Sequence, residues 1–546
     1  MIEEPSRAAK QRPYTLLVLI GFAIIIFSIG LGGLALVGPD EPRYSEVARE
    51  MFSTGDYISP RLCGCLWFEK PVLLYWLAAA SYHLFGVSEF AARFPSFIAA
   101  ILTMLFVYYG LKRAVSERLA RAASLMFATS GLVIAYARVA TPDISLTAAM
   151  SIALLSGYLA ATSSGRARTV HWMLCFAAMG VAVLAKGLVG MALVIAILAV
   201  YFAAMRQSQF IRWQETLLGI IVFLVIAGTW YVPVTLEHGW GFIEEFFIRH
   251  HFQRYTSNQF GHPQPFYFFF VIAIAGIAPW SFFLIPAAAR LKSLKPRGDR
   301  LDALLVFAWI WVAVPLLFFS VSGSKLPGYI LPVFPALAII IGAEIERFIS
   351  GERGLLLSAA VWLTALLIVI IGAGFPVYLA REQVSSSGWQ TVFFGLPLAV
   401  AVIAIAALVA RRRQAFVTSV AGVMLSLIIG AAILLLPKLN DELTLKSLSL
   451  EAAAALRPEE RITFFIKKEF APVFYAEGRV VCGGTDSDIL NALSEDILAD
   501  ALRNESSLIV ITTSNWRKGL ESDPRFATEL LATQGDALAF RVSLIK

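Results

Sequence analysis

Five short polar strings interrupt a chain that is otherwise very apolar. They are Asp40-Glu41-Pro42-Arg43-Tyr44; Phe68-Glu69-Lys70-Pro71; Tyr136-Ala137-Arg138 with Thr141-Pro142-Asp143; Arg249-His250-His251-Phe252-Gln253-Arg254-Tyr255; and SGSKLPGY from Ser322 to Tyr329. Two carboxylates, Asp40 and Asp143, stand among the cations Lys70, Arg254 and Lys325. That mixture suits a ligand carrying both a phosphate and a sugar. Arginine and lysine neutralise phosphate, arginine with two parallel hydrogen bonds. Carboxylates accept hydrogen bonds from hydroxyls or an amine, and orient or deprotonate an acceptor. Each string also has a plainer reading: a solvated interface residue, a cap for the helix after Asp40-Glu41, or exposed loop histidines. His250 and His251 are adjacent rather than spaced along one helix face, so they do not imply a shared metal. Lys186, near the end of an apolar run, reads as a snorkelling lysine.

The strings act together only if the chain brings them to one side of a membrane. Of 546 residues, 58% are hydrophobic and 15% charged, with a mean hydropathy of +0.73. Soluble domains carry about 25% charged residues. Apolar runs long enough to cross about 30 Å of hydrocarbon occupy 14–37, 90–112, 118–136, 141–162, 170–185, 187–205, 214–235, 266–290, 301–321, 327–347, 353–379, 389–410 and 415–436. The expectation is therefore an α-helical polytopic membrane protein with about thirteen spans. The first run follows Arg7, Lys10 and Arg12 without a small-residue cleavage site. It reads as a retained span with a cytoplasmic N-terminus. Alternate loops then hold Lys112, Arg113, Arg118 and Arg121; Arg166 and Arg168; Arg206 and Arg212; Arg290 to Arg297; Arg347 and Arg353; and Arg411 to Arg413. This satisfies the positive-inside rule from end to end and explains most of the net charge of +7 without nucleic acid.

The polar strings fall in the other loops, chiefly 38–89 and 236–265. Residues 71–86 are apolar but give only about 23 Å of helix. Crossing there would invert every later loop, so they read as an amphipathic helix lying on the outer surface, with 41–53 as a second; a short tilted span is the alternative. After the membrane domain, 1–436, residues 437–546 regain charge. Strand-like strings (461–466, 479–482, 508–512, 538–544) alternate there with helical ones (467–476, 487–503, 524–532), a small outer-face α/β domain. Cys63, Cys65, Cys175 and Cys482 are too few for a disulfide framework, and Cys63 and Cys65 are too close to bridge relaxed.

The strings GPDEPRYSEVAREM, FEKPVLLYW, FAARFPS, VATPDISL, FIRHHFQRYT and SKLPGYILPVFPALAI resemble the polyprenyl-phosphate-sugar-dependent membrane glycosyltransferases of the GT-C group. That group includes protein O-mannosyltransferases; within it the strings are similar to the 4-amino-4-deoxy-L-arabinose transferases that modify lipid A. The resemblance implies a donor of undecaprenyl-phosphate-linked aminoarabinose, lipid A as acceptor among membrane lipids, a bacterial inner-membrane location and a periplasmic C-terminal domain. It also implies Asp40 and Asp143 as catalytic carboxylates, Arg43 as a bridge, and Lys70, Arg254 and Tyr329 as carrier-phosphate ligands. Glu69 with His250 would hold a divalent metal, a pair that suits zinc. A phosphate monoester has a second pKa near 6, so an acceptor phosphate needs no strong base, and lysine and arginine neutralise the leaving phosphate without a required cofactor. A protein or glycan acceptor on the same fold, and a lipid or solute transporter, are the other readings. The one-sided charges and the lack of an internal repeat weigh against the transporter.

Overall fold

The computed structural model describes residues 14–206, 212–253, 264–295, 298–384, 388–483, 489–503 and 505–545. The first elements in chain order are α1 (Tyr14–Ser28), α2 (Asp40–Thr54), α3 (Leu73–Phe85), α4 (Glu89–Ala114), α5 (Glu117–Ala128), α6 (Gly131–Tyr136), α7 (Pro142–Thr162), α8 (Gly165–Lys186), α9 (Leu188–Met205) and α10 (Trp213–Ile243). Among the described residues ten helices are long and apolar enough to cross a bilayer. An eleventh is added if Phe268–Gly276 and Ser281–Leu291, bent by 114°, form one span. Length and composition thus account for ten of the thirteen expected spans, or eleven with the bent pair. Two expected spans have no helix of that length: α1, within 14–37, has 15 residues, and 118–136 is split into α5 and α6. The split falls at Thr129, whose hydroxyl accepts from Trp280 Nε1 at 2.8 Å.

Helix starts follow local chemistry. Ser88 and Ser116 accept from the backbone N–H groups of Ala91 and Leu119 and cap α4 and α5, and Pro142 opens α7. The centre of the bundle is α7, buried along nearly its whole length between α4 and α8. Its run of Ala, Ser and Gly explains this, because small residues let helix backbones approach closely. A Cβ on Gly157 would sit 2.9 Å from the Leu198 side chain.

α2 and α3 pack on each other at the end of the bundle where α4 begins. At 13 residues, α3 is about 20 Å long, too short to span. It buries Leu74, Tyr75, Ala78 and Tyr82 and leaves Leu77, Leu84 and Phe85 exposed, as a helix lying along the surface would.

The C-terminal region is a five-stranded sheet of order β4-β3-β5-β7-β6. Here β1 (Arg61–Leu62) and β2 (Cys65–Leu66) form a separate hairpin. The sheet strands are β3 (Arg461–Phe465), β4 (Asn491–Ala492), β5 (Leu508–Thr513), β6 (Phe526–Gln534) and β7 (Ala537–Leu544). The helix expected at 524–532 is instead β6. Glu529, Leu530, Leu531 and Ala532 favour helix locally, but the two-residue turn Gly535-Asp536, with Gly535 at φ +57°, closes a tight hairpin onto β7.

This domain is clamped to the membrane domain. Tyr475 OH receives Leu36 N–H and donates to Glu89, Arg49 reaches the Glu477 carbonyl at 2.7 Å, and Asn440 brackets Ala35 and Gly33. The four cysteines, too few to suggest a disulfide framework, still supply one bridge, between Cys65 and Cys482, whose Cα atoms are 6.3 Å apart. The partners are 417 residues apart, so no local spacing announces the pair. Cys65→Ser is expected to cost about 2–4 kcal/mol, read as a lower Tm of the purified protein. Non-reduced peptide mapping of the wild type should recover the 65–482 link.

Candidate active site

Asp40 lies in the first turn of α2, where a carboxylate also complements the helix dipole. It accepts from Arg43 Nη2 at 2.7 Å, one turn on, and Arg43 Nη1 stands 3.5 Å from Glu69. Glu69 in turn accepts from Lys70 Nζ at 2.6 Å. Asp40, Arg43, Glu69 and Lys70 thus form one alternating chain of charge, with Arg43 between the two carboxylates. Burial alone would lower the Arg43 pKa, but Glu69 and Asp40 outweigh it and raise it, so the guanidinium stays charged. Tyr44, buried beside them, has its pKa raised by burial and then by Glu69 and Asp40; it remains a phenol that can donate.

The neighbouring Glu41 has a different job. It is 1% exposed and takes two hydrogen bonds from Arg93, at 2.8 and 2.7 Å, and others from the backbone N–H groups of Ala140 and Val37. Arg93 also donates to the carbonyls of Leu31, Leu34 and Ala35. The pair staples the end of the first span to α4 and to the turn before α7, so Asp40 is presented by a fixed support.

The third string delivers Asp143, in the first turn of α7, to the same place. Its partner is Lys186 at the end of α8, and Lys186 Nζ also lies 4.6 Å from the centre of the Tyr329 ring, a cation–π distance. Lys186 was passed over in the sequence. The available signal was the charge pattern: it is a lysine in a turn between two apolar runs on the side that the loop alternation leaves poor in cations. Tyr329 sits on a 3₁₀ turn, Pro327–Val333, that approaches α7 through Gly328. A Cβ there would be 2.7 Å from the Asp143 carboxyl carbon, so only glycine fits.

These groups enclose one cavity of about 430 Å3. Asp40, Glu69, Lys70, Asp143 and Lys186 form its polar wall; Leu188, Val189, Ala192, Phe247, Phe318 and Phe319 form an apolar one. A charged recess joined to an apolar one fits an amphiphile with a phosphate head. Lys325 is not on the wall. It is 7% exposed and donates to the Ser322 carbonyl at 2.6 Å, which leaves it bracing the loop. Arg254 lies outside the described residues, as does the side chain of His250. Glu69, the other expected metal ligand, already faces Lys70 and Arg43. Among the described residues no three His, Cys, Asp or Glu side chains converge, so they do not compose a zinc site, which takes at least three such ligands. The C-terminal domain reaches the site as well: Phe470 lays its ring 4.9 Å from the Arg43 guanidinium, which also faces Trp67 at 5.4 Å.

Comparison with known proteins places this arrangement. A family model described as dolichyl-phosphate-mannose-protein mannosyltransferase matches residues 69–232. The structure is similar to that of ArnT from Cupriavidus metallidurans bound to undecaprenyl phosphate, with a TM-score of 0.78 and 24% identity over 96% of this chain and 97% of that one. It also resembles the oligosaccharyltransferase AglB from Archaeoglobus fulgidus, with a TM-score of 0.54 and 12% identity over 99% of this chain and 75% of that one. Both share the fold. Among curated proteins, the undecaprenyl phosphate-alpha-4-amino-4-deoxy-L-arabinose arabinosyl transferase of Edwardsiella ictaluri is 32% identical over 66% of this chain and 63% of its own length. The protein of the same name from Pectobacterium carotovorum is 31% identical over 76% of this chain and 75% of its own length. The chain therefore belongs to the undecaprenyl phosphate-4-amino-4-deoxy-L-arabinose arabinosyl transferase family.

Proposed function

We propose that this multi-pass membrane glycosyltransferase moves 4-amino-4-deoxy-L-arabinose from undecaprenyl phosphate to a phosphate of lipid A. The work is done at the periplasmic face of the bacterial inner membrane, with the N-terminus cytoplasmic and the C-terminal domain periplasmic. The observation that carries the reading is the convergence of Asp40, Glu69, Lys70, Asp143 and Lys186, which come from four separate stretches of chain, around one cavity with an apolar wall. The prenyl chain of the donor suits that wall, and its phosphate suits Lys70 and Lys186.

In the proposed reaction an oxygen of the acceptor phosphate attacks the anomeric carbon. The bond from that carbon to the carrier phosphate breaks with its electron pair, and undecaprenyl phosphate leaves as the anion. Direct displacement inverts the anomeric centre. Because the acceptor is already largely a dianion at neutral pH, no proton need be removed from it. The catalytic gain is positioning and charge neutralisation: Lys70 and Lys186 stabilise the departing phosphate, Tyr329 holds Lys186 in place, and Asp40 and Asp143 orient the sugar and its amine. Arg254 is kept as a further phosphate ligand on the strength of the family resemblance.

Mass spectrometry of lipid A from cells with and without the gene tests this. A pentosamine added only when the gene is present is the expected result; unmodified lipid A, with the sugar on a protein or glycan, would redirect the acceptor. Phe470 gives a finer prediction. Phe470→Leu removes the ring against Arg43 and is expected to lower kcat about tenfold, a loss of the size that a partly desolvated cation–π contact supports, with KM for the donor little changed. Phe470→Tyr should restore kcat.

A further inference from the structure

At the end of the bundle opposite Asp40 and Asp143, four helices leave a groove of about 680 Å3, within the range of roughly 300–1,000 Å3 typical of small-ligand sites. They are α1, α5, Phe334–Ser350 and Arg413–Leu434. The α5 wall consists of Arg118, Arg121, Ala122 and Leu125, spaced i, i+3, i+4, i+7 along a single face. Down that face two guanidiniums give way to an alanine and a leucine. Arg413–Leu434 repeats the gradient from Gln414 to Val417 and Ala421, and Phe22 of α1 adds to the apolar part. The groove therefore has a cationic rim and a hydrocarbon floor.

Several other basic groups at this end of the bundle have a carboxylate partner. Lys112 meets Glu117 at 3.3 Å, Arg168 meets Glu215 at 2.9 Å and Arg347 meets Glu352 at 2.7 Å. Arg118 and Arg121 make no hydrogen bond or ion pair within 4 Å among the described residues. Glu346, which interacts with both arginines, is the one carboxylate on the wall, and Glu117, which interacts with Arg121, lies off the wall and is paired with Lys112; the lining itself carries two positive charges to one negative. A bare phosphate would leave the apolar part empty, and a zwitterionic head group would bring a cation against the arginines.

We propose that this groove binds an anionic diacyl phospholipid of the leaflet opposite the catalytic cavity. Its phosphate sits between Arg118 and Arg121, where arginine gives directed, charge-assisted hydrogen bonds, and one acyl chain lies along Leu125, Phe22 and Ala421. Anionic lipid surfaces attract such juxtamembrane arginines. The proposal is independent of the reading of the catalytic site.

The test uses the full-length protein, purified in detergent and stripped of lipid. It is offered phosphatidylglycerol, phosphatidylethanolamine, undecaprenyl phosphate or inorganic phosphate. Native mass spectrometry counts the lipid retained, and a thermal-shift assay reads the Tm, which a ligand of the folded state raises. Phosphatidylglycerol should be retained at least about fivefold over phosphatidylethanolamine and should raise the Tm where inorganic phosphate does not. The Arg118→Gln/Arg121→Gln double variant should bring its retention down to the phosphatidylethanolamine level, with sugar transfer at the other face kept within about twofold. Thr418→Trp, which narrows the groove and leaves both arginines in place, should do the same and decides the matter if the double variant does not fold. Unchanged phosphatidylglycerol retention in these variants would overturn the proposal. So would an equal Tm shift from inorganic phosphate, which marks a free-anion site, or preferential retention of undecaprenyl phosphate, which marks a carrier-lipid site.

Discussion

Lys70→Met is expected to lower the turnover of sugar transfer by about a hundredfold to a thousandfold, the usual loss when one preorganised stabiliser of developing negative charge is removed from a dry site. Lys70 lines the cavity and its ammonium is held on Glu69 at 2.6 Å, so it is in place before any substrate arrives and needs no reorganisation as the carrier phosphate gains charge. The loss should fall mainly on kcat, since the donor's prenyl chain still contributes to binding through the apolar wall. Lys70→Arg keeps the charge but not the compact geometry and should recover part of the rate. Steady-state kinetics with donor and lipid A, on protein shown to be folded, measures both. Turnover of Lys70→Met within threefold of wild type would remove Lys70 from the machinery.

Arg93→Met is expected to produce the largest loss of stability. Arg93 and Glu41 are 2% and 1% exposed, and removing one partner of a buried pair costs about 3–5 kcal/mol because the other charge is left uncompensated. Here the methionine would also leave the carbonyls of Leu31, Leu34 and Ala35 without the donor they now share. Glu41→Gln keeps the shape and an acceptor for Ala140 N–H and should cost less. Thermal unfolding of the two variants in the same detergent checks the order: Arg93→Met lowest, Glu41→Gln between it and wild type. Asp40 immediately precedes the anchored Glu41, so the folded fraction of Arg93→Met should also transfer sugar more slowly.

The sequence carried the bundle and the near side of the site well, because both are written locally. Apolar runs and the alternation of basic loops mark the spans, and the short length of 71–86 together with that alternation points to a surface helix there. Asp40, Glu69, Lys70, Asp143 and Tyr329 are polar residues in the loops that alternate with the basic ones, and all of them line the cavity. What could not be read depends on distant partners. Lys186 is an ordinary snorkelling lysine until α7 brings Asp143 to it, and Lys325 has the same composition signal as Lys70 but turns inward to Ser322. Glu41 and Asp40 are adjacent acids whose roles separate only when Arg93, 52 positions on from Glu41, is in place. The Cys65–Cys482 link likewise depends on a distant partner, and β6 on pairing with β7 across the Gly535-Asp536 turn, which overrides what its own residues prefer.

Transfer in detergent, with no sealed compartment, addresses the central claim most directly. Purified protein is given undecaprenyl-phosphate-linked aminoarabinose and lipid A, and both products are followed by mass spectrometry. Equal amounts of pentosamine-modified lipid A and free undecaprenyl phosphate, formed together and lost together in Lys70→Met, are the result expected of a catalytic cavity. Folded, wild-type protein that leaves both lipids unchanged would contradict it.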